Sequence, residues 1–125
     1  MMVDKIIEDG SLRAAGNGFT LGIRLPWYRS VPLSDVEIVS VSVDQQPVAL
    51  ENVQFSANEQ IWPVSQLKAL TEEYWFVTDT ARLHVTGNAL HQGSEHDVEL
   101  VIAVYPPYIR GLQRLLRWTK RLQVL

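Results

Sequence analysis

The 125-residue chain is predicted to fold as one all-β domain, a single-domain antiparallel β-sandwich that is jelly-roll-like and carries one or two short helices. Three observations predict this fold. Apolar residues alternate with polar ones over many short runs, which is typical of strands with one buried face. Turn-forming residues separate these runs roughly every ten residues. The composition, with 46% hydrophobic and 20% charged residues, is that of a globular chain long enough for one core.

The first part of the chain contains three extended runs. An apolar run at 3–7 ends at Asp9-Gly10, and a short run at 12–14 precedes the turn formed by Gly16-Asn17-Gly18. The alternation is cleanest over 19–25, where every second residue is apolar. We expect this segment to be a strand with one face in the core.

The middle of the chain continues the pattern of strands and tight turns. Residues 36–43 are rich in β-branched side chains, which suit a pleated sheet, and a hairpin turn is expected at 44–47. Residues 59–62 are predicted to form a short edge strand, because Pro63 cannot donate a hydrogen bond to a ladder. A short helix is predicted at 64–70.

Two further strand regions precede the tail. Residues 74–77 and 81–85 are predicted to pair as a hairpin around a turn at 78–80. Residues 96–105 are apolar on both faces in their middle, so this strand is predicted to be central in its sheet.

The C-terminal segment 109–125 is strongly basic. The net charge of the chain is −3, of which this segment contributes +5, so the remainder carries −8. Leu112, Leu115 and Leu116 have helical spacing, so residues 111–117 are predicted to be a short helix or a loop, and the weaker alternation over 119–124 is compatible with a last strand. An acidic body with a basic tail is a poor nucleic-acid binder. It suits a tail that packs on its own body or against an acidic partner.

Composition also bears on location. The chain has no cysteine, which excludes disulfides and cysteine metal sites and is compatible with the cytoplasm, where we expect the protein. The N-terminal segment has no secretory pattern, and no apolar run approaches the length of a membrane span. No membrane and no nucleic-acid partner are expected.

The segment after the cleanest strand is the most informative. Pro26 and Pro32 bracket Trp27, Tyr28 and Arg29, and the prolines predict a stiff loop. Aromatic and arginine side chains are the usual anchors of protein interfaces, so this loop is predicted to be a docking surface at a partner interface or active-site rim. The predicted contact set is Arg24, Pro26, Trp27, Tyr28, Arg29, Pro32 and Leu33.

Purely structural roles for the residues of this loop are equally compatible with the sequence. Trp27 alone is as well explained by closing the end of the sandwich core. Arg24 is as well explained as a solvent-facing strand residue. In the docking interpretation, Arg24 and Arg29 are the polar anchors, because a guanidinium forms bidentate pairs with carboxylates.

Residues 23–48, with the sequence IRLPWYRSVPLSDVEIVSVSVDQQPV, resemble the β subunit of bacterial C-deglycosylation enzymes, the C-glycoside deglycosidases. Trp27 stands where a tyrosine is more usual in that family, and Gln45-Gln46 occupy a hairpin tip that often holds glycine. The resemblance continues more weakly through Trp75, the stretch 93–98 and Tyr105-Pro106.

The resemblance implies a small β-rich partner of a catalytic α subunit in a hetero-oligomer. That subunit is similar to sugar-phosphate isomerases, a (β/α) barrel with a divalent metal, expected to be Mn²⁺. The complex would cleave the C–C bond between a 3-oxo-sugar and an aromatic aglycone such as a flavonoid. By this resemblance the present chain holds no metal, no cofactor and no catalytic residue.

Two functions from other classes are the alternatives. A stand-alone carbohydrate-binding module would use Trp27, Tyr28, Trp62 and Trp75 as stacking platforms. A small independent enzyme or metal site would use His91 and His96, which flank an acidic loop. His84 is expected to point to solvent or to a neighbouring strand.

Overall fold

The computed structural model describes residues 6–106, 108–109 and 111–125, and its regular elements are mainly antiparallel strands. The strands are β1 (Arg13–Ala15), β2 (Gly18–Arg24), β3 (Val31–Pro32), β4 (Val36–Val43), β5 (Gln46–Pro47), β6 (Val53–Ala57), β7 (Gln60–Pro63), β8 (Tyr74–Trp75), β9 (Thr80–Thr86), β10 (Glu95–Val104) and β11 (Arg114–Gln123). Short 3₁₀ helices are formed by Leu33–Asp35, Leu50–Asn52 and Val64–Ala69.

The strands form two main sheets and one small one. The five-stranded sheet has the order β1-β2-β9-β6-β7, and the four-stranded sheet has the order β11-β10-β4-β5. Strands β3 and β8 form a separate two-stranded ladder. Buried side chains from both main sheets share one apolar core, which confirms the predicted all-β sandwich. Within the described part of the chain there is no helix of the length and apolarity needed to cross a membrane.

The core faces follow from the alternation in the sequence. In β2, Phe19, Leu21 and Ile23 are at most 1% exposed, and in the register with β9 Leu21 lies opposite the fully buried Leu83. Gly18 opens β2 so close to β9 that a Cβ atom there would lie 1.7 Å from the backbone oxygen of Val85. The strand can therefore begin at this position only with glycine.

Strand β10 lies between β11 and β4, as its apolar middle predicts. Leu100, Ile102 and Val104 belong to the shared core, while Val101 and Ala103 on the other face are also buried. The predicted edge strand at 59–62 is confirmed as β7, and the predicted short helix at 64–70 is confirmed as a 3₁₀ helix.

The predicted hairpin between 74–77 and 81–85 is wrong. Strand β8 pairs instead with β3, so that Val31 lies opposite Trp75. The Trp75 ring is fully buried and meets the Phe55 ring edge-on at 5.2 Å, and its Nε1–H donates to the Asp79 carbonyl at 3.2 Å. Residues 76–79 therefore connect β8 to β9 as a loop held to the indole, and the burial of this large apolar ring stabilises the observed pairing.

The tail is a loop followed by a strand, and the helical alternative for 111–117 is wrong. Strand β11 begins at Arg114 and pairs with β10 over ten residues without a break. Leu115 and Leu116 point to opposite faces of this strand and Leu112 precedes it, since pairing with β10 overrides a weak local preference. Of the predicted first run, Ile7 forms an isolated bridge with Ile23. Val3 of that run and Arg110 of the basic tail lie outside the described residues.

Replacing Trp75 with alanine is expected to lower the free energy of unfolding by about 3–5 kcal/mol, because it removes the largest fully buried ring and leaves a cavity. Trp62→Ala, at a partly buried ring on β7, is the control and is expected to cost clearly less. Urea denaturation of both variants measures the difference. Equal losses would contradict the central role of Trp75, and Trp75→Phe provides a milder variant if alanine prevents folding.

Candidate functional site

The proline-bracketed segment forms the loop between β2 and β3. Its Trp27 is 7% exposed and belongs to the shared core, and Leu33 is fully buried. This burial is what the alternative in which Trp27 closes the end of the core predicts, and the part of Trp27 in a partner contact stays a prediction. Tyr28, by contrast, is 56% exposed, and Arg29 is exposed beside it. Of the predicted contact set, these two side chains are the ones presented most openly to solvent.

Four side chains join at this loop, and we call them the aromatic loop cluster: Trp27, Tyr28, Arg29 and Tyr108. Trp27 Nε1–H donates to the Tyr108 hydroxyl at 2.7 Å, and that hydroxyl donates to the Tyr28 hydroxyl at 2.9 Å. The Trp27 and Tyr28 rings lie 5.2 Å apart, and the Arg29 guanidinium lies 4.8 Å from the centre of the Tyr108 ring. A buried indole, two phenols and a stacked cation thus form one connected surface.

The pKa values of the two phenols in the cluster are shifted in opposite directions. The hydrogen bond with Tyr108 raises the pKa of Tyr28 above its ordinary value, and loss of solvation adds to this. Loss of solvation raises the pKa of Tyr108 as well, but hydrogen bonds with Tyr28 and Trp27 and the charge of Arg29 outweigh it and lower that pKa. The pKa of Tyr108, the phenol beside the arginine, is therefore shifted in the opposite direction to that of Tyr28.

The remaining predicted contact residues lie apart from the cluster. Arg24 is half-exposed on β2, where Nη1 lies 3.6 Å from Glu8 Oε2 and 3.4 Å from the Thr80 hydroxyl. This position agrees with the alternative in which Arg24 is a solvent-facing strand residue. Pro26 is buried, and Pro32 is half-buried opposite Tyr74 in the β3–β8 ladder. Their role at a partner interface stays a prediction.

A second exposed aromatic group adjoins the loop. The Tyr74 and Phe76 rings are 40% and 47% exposed and stack 6.3 Å apart. The next residue, Val77, donates its backbone N–H to the Ser30 hydroxyl at 2.8 Å, which ties this segment to the proline loop. Sequence reasoning missed Phe76 and Tyr108. The sequence feature that could have pointed to Phe76 and Tyr108 is that each is an aromatic residue close to a turn or a proline.

The histidine cluster differs from the predicted one. His96 Nδ1 lies 2.6 Å from Asp44 Oδ2, and His96 Nε2 lies 2.8 Å from Ser94 Oγ, which is the connectivity of a serine hydrolase triad. The Ser94 hydroxyl, however, donates its proton to the His91 carbonyl at 2.6 Å. Its oxygen is then an acceptor for the histidine, so this arrangement ties a loop together and does not activate a nucleophile.

Other polar groups show no metal-binding arrangement. Among the residues that the structure describes, no three His, Cys, Asp or Glu side chains converge on a common point. His84 faces the neighbouring strand β6, with Nε2 3.0 Å from the Ser56 hydroxyl. This is one of the two orientations predicted for it. Burial, and then the charge of Arg82, lower the pKa of His84.

A groove of about 530 Å³ lies between β4 and the 3₁₀ helices. Val36, Ile38 and Leu67 form its apolar floor, and Glu37 and Lys68 are among the residues at its rim. Its volume suits a small ligand, and Glu37, Glu51 and Lys68 are its charged lining residues.

Comparison with known proteins agrees with the sequence resemblance. The family model described as C-glycoside deglycosidase beta subunit matches residues 2–108. The chain belongs to this family. It is 34% identical over 109 residues to a 3'-dehydrocarminate deglycosidase beta subunit of Microbacterium sp, with 87% of this chain and 82% of that protein covered.

Two further relatives carry the family description. The chain is 33% identical over 110 residues to a C-glycoside deglycosidase beta subunit of Microbacterium trichothecenolyticum, covering 87% of this chain and 82% of the relative. It is 28% identical over 109 residues to one of Arthrobacter globiformis, covering 87% and 83%. The predicted membership in the C-glycoside deglycosidase beta subunit family is thus confirmed, and β11 lies beyond the residues that the family model matches.

The Asp44–His96 pair predicts an acid dependence of stability. The hydrogen bond with His96 and the backbone N–H of Asp97 lower the pKa of Asp44 below its ordinary value of 3.8. The native state therefore favours the carboxylate, so its contribution is present above pH 3.8 and is lost as the pH falls through the lowered value.

Asp44→Asn is the test variant, because asparagine tolerates the positive φ of 51° at this position. In urea denaturation it is expected to be less stable than the parent chain near neutral pH, and the two are expected to converge in strong acid. Glu51→Gln, at an exposed carboxyl on the second 3₁₀ helix, is the control. A stability difference that persists unchanged into acid would contradict the prediction.

Proposed function

We propose that this chain is the β subunit of a heteromeric C-glycoside deglycosidase whose α subunit, a sugar-isomerase-like (β/α) barrel, performs the chemistry. The observation that carries the proposal is the family match over residues 2–108. Relatives at 34% and 33% identity are named beta subunits, and a beta subunit implies another subunit. The proposed location of the complex is the cytoplasm.

The proposed reaction is cleavage of the C–C bond between a 3-oxo-sugar and an aromatic aglycone such as a flavonoid. The name of one relative, 3'-dehydrocarminate deglycosidase beta subunit, denotes a substrate oxidised at the 3' position, which supports this substrate class. A divalent metal in the α subunit, proposed to be Mn²⁺, would supply a Lewis acid for the 3-keto group. A general base there would remove the C2 proton, a C1=C2 double bond would form as the bond from C1 to the aglycone breaks, and the departing aglycone carbon would take up a proton. This elimination would make the complex a carbon–carbon lyase.

The proposed role of this chain is to dock on the α subunit and order its active-site loops. The exposed Tyr28 and Arg29 are of the residue types that dominate interface energetics. Both contact Tyr108, whose hydroxyl accepts a hydrogen bond from the buried Trp27. Barrel active sites lie at the loop-bearing face, so a small rigid subunit at that rim can position loops and exclude water.

The test of this function is an activity assay on a 3-oxo-C-glucoside of a flavone with a candidate α subunit, sought as a sugar-isomerase-like barrel encoded in the same genome. We expect the α subunit to be inactive or strongly impaired alone and active after co-purification with this chain. Full activity of the α subunit alone would overturn the proposal.

The burial of the tryptophan rings weakens the alternative that the chain is a carbohydrate-binding module. Trp27 and Trp75 are 7% and 0% exposed, so neither can offer a ring face to a sugar, and Trp62 is half-buried. Tyr28 remains as the exposed platform of the four. Isothermal titration of the isolated chain with glucose and with a C-glucoside distinguishes the two functions, because a β subunit that acts by docking is expected to bind neither.

Combined replacement of Tyr28 and Arg29 by alanine is expected to weaken assembly with the α subunit by about 2–4 kcal/mol, the range of interface anchors. The matched control is Ile61→Ala with Arg82→Ala, which also removes one exposed apolar and one exposed arginine side chain, on the five-stranded sheet. Sedimentation velocity of the mixed subunits measures the change. Assembly that is equally strong for both double variants would exclude the aromatic loop cluster as the contact.

A further inference from the structure

Strand β11 has one neighbour, β10, and forms the edge of the four-stranded sheet. The backbone of Tyr105 donates to Asp35 at 2.8 Å, and that of Asp44 donates to Asp97 at 2.8 Å, so odd-numbered residues of β10 bond toward β4. Even-numbered residues of β10 therefore bond toward β11, where they lie opposite even-numbered residues. It follows that the odd-numbered residues of β11 direct their N–H and C=O groups to the open edge.

The open part of this edge is well defined. Leu125 donates its N–H to the Leu12 carbonyl at 2.9 Å and accepts from Ala14 at 3.3 Å, which closes the edge near its C-terminal end. From Leu115 to Arg121 no strand among the described residues pairs with the outer side of β11. A strand edge of this length is a template for pairing with another chain.

The usual protections of an edge strand are weak here. Strand β11 contains no proline, and its register with β10 has no bulge. Three of its four basic side chains are paired within the chain, and the fourth, Arg114, precedes the open part of the edge. Arg117 Nη1 lies 3.3 Å from Glu99, Arg121 contacts Glu95 and Asp97 at 3.3 and 3.1 Å, and Lys120 pairs with Asp9. The charges therefore do little to repel a second strand.

We propose that β11 pairs antiparallel with β11 of a second copy of this chain, with Trp118 opposite Trp118 of that copy. In this register Arg117 lies opposite Thr119 and Leu115 opposite Arg121, so no two like charges meet directly. A shift by two residues in one direction places Arg117 opposite itself, and the same shift in the other direction places it opposite Arg121. The charge pattern thus selects a self-complementary, two-fold register.

The pairing joins two four-stranded sheets edge to edge. Leu115, Arg117, Thr119 and Arg121 of each copy would exchange backbone hydrogen bonds with the other, and the two Trp118 side chains would form a cross-strand aromatic pair. This inference is independent of the proposed docking on an α subunit, because it concerns the isolated chain and a different surface.

The first experiment removes one outward-facing backbone donor. Thr119→Pro deletes the N–H that faces the open edge while the bonds from β11 to β10 stay intact, and Thr119→Ala is the matched control that loses the same hydroxyl but keeps the N–H. In light scattering after size exclusion, the full chain and Thr119→Ala are expected to have twice the chain mass, and Thr119→Pro the mass of one chain. A parent chain that is monomeric at every concentration tested would overturn the proposal.

The second experiment tests the register and does not depend on proline being tolerated. The chain has no cysteine, so Trp118→Cys introduces a single thiol, and the two thiols of a pair would lie about 5 Å apart at their Cβ atoms, within reach of a disulfide after a small adjustment. Lys120→Cys is the control, since this position lies opposite Leu116 of the second copy. Oxidation is expected to cross-link Trp118→Cys and not Lys120→Cys; equal cross-linking of the two would overturn the register.

Amide hydrogen exchange supplies a third, variant-free measurement. Amides of Leu115, Arg117, Thr119 and Arg121 are expected to be protected in the dimer and to exchange rapidly on dilution, while even-numbered amides stay protected by β10. Odd-numbered amides that exchange rapidly at all concentrations, or that become protected only when an α subunit is added, would show that a second copy does not occupy this edge.

Discussion

The hydrogen bond from Trp27 to Tyr108 governs the end of the sandwich that carries the aromatic loop cluster. It joins two loops whose residues are 81 positions apart in the chain. The indole is nearly buried, and a buried N–H without a partner is costly, so the tryptophan requires an acceptor at this point. The Tyr108 hydroxyl satisfies it and in turn orients Tyr28, while its ring carries Arg29. The exposed side chains Tyr28 and Arg29 are thus positioned, through Tyr108, by a residue of the core.

This arrangement explains how a small subunit can offer a rigid contact without a large apolar patch. The prolines restrict the backbone of the loop, the indole fixes its inner side, and the hydrogen bond to Ser30 ties the neighbouring aromatic pair Tyr74 and Phe76 to it. A contact that is ordered before binding loses less entropy when a partner arrives. The burial of Trp27 therefore does not remove the loop from the interface hypothesis, although it moves the exposed anchors to Tyr28 and Arg29.

Strands with a clear pattern could be predicted from the sequence, and pairings that depend on a single large ring could not. The alternation over 19–25 predicted β2, and apolar residues on both faces predicted the central position of β10. Both predictions succeed because the number of buried faces of a strand determines which of its residues are apolar. The pairing of β8 with β3 depends on where the Trp75 indole fits, which is a tertiary property. Likewise, Tyr108 joins the cluster through an acceptor oxygen whose partner lies far away in the chain, so local spacing carries no sign of it.

The ladder of opposite charges between β10 and β11 has a consequence for how the last strand finds its alignment. Exposed ion pairs of this kind add little to stability, about 0–1 kcal/mol each. A slip by one residue, however, would turn Arg117 and Arg121 toward the apolar interior and carry Trp118 out to water. The acids of β10 therefore add little to the stability of the strand, but they favour the alignment in which Arg117 and Arg121 lie on the solvent face beside them.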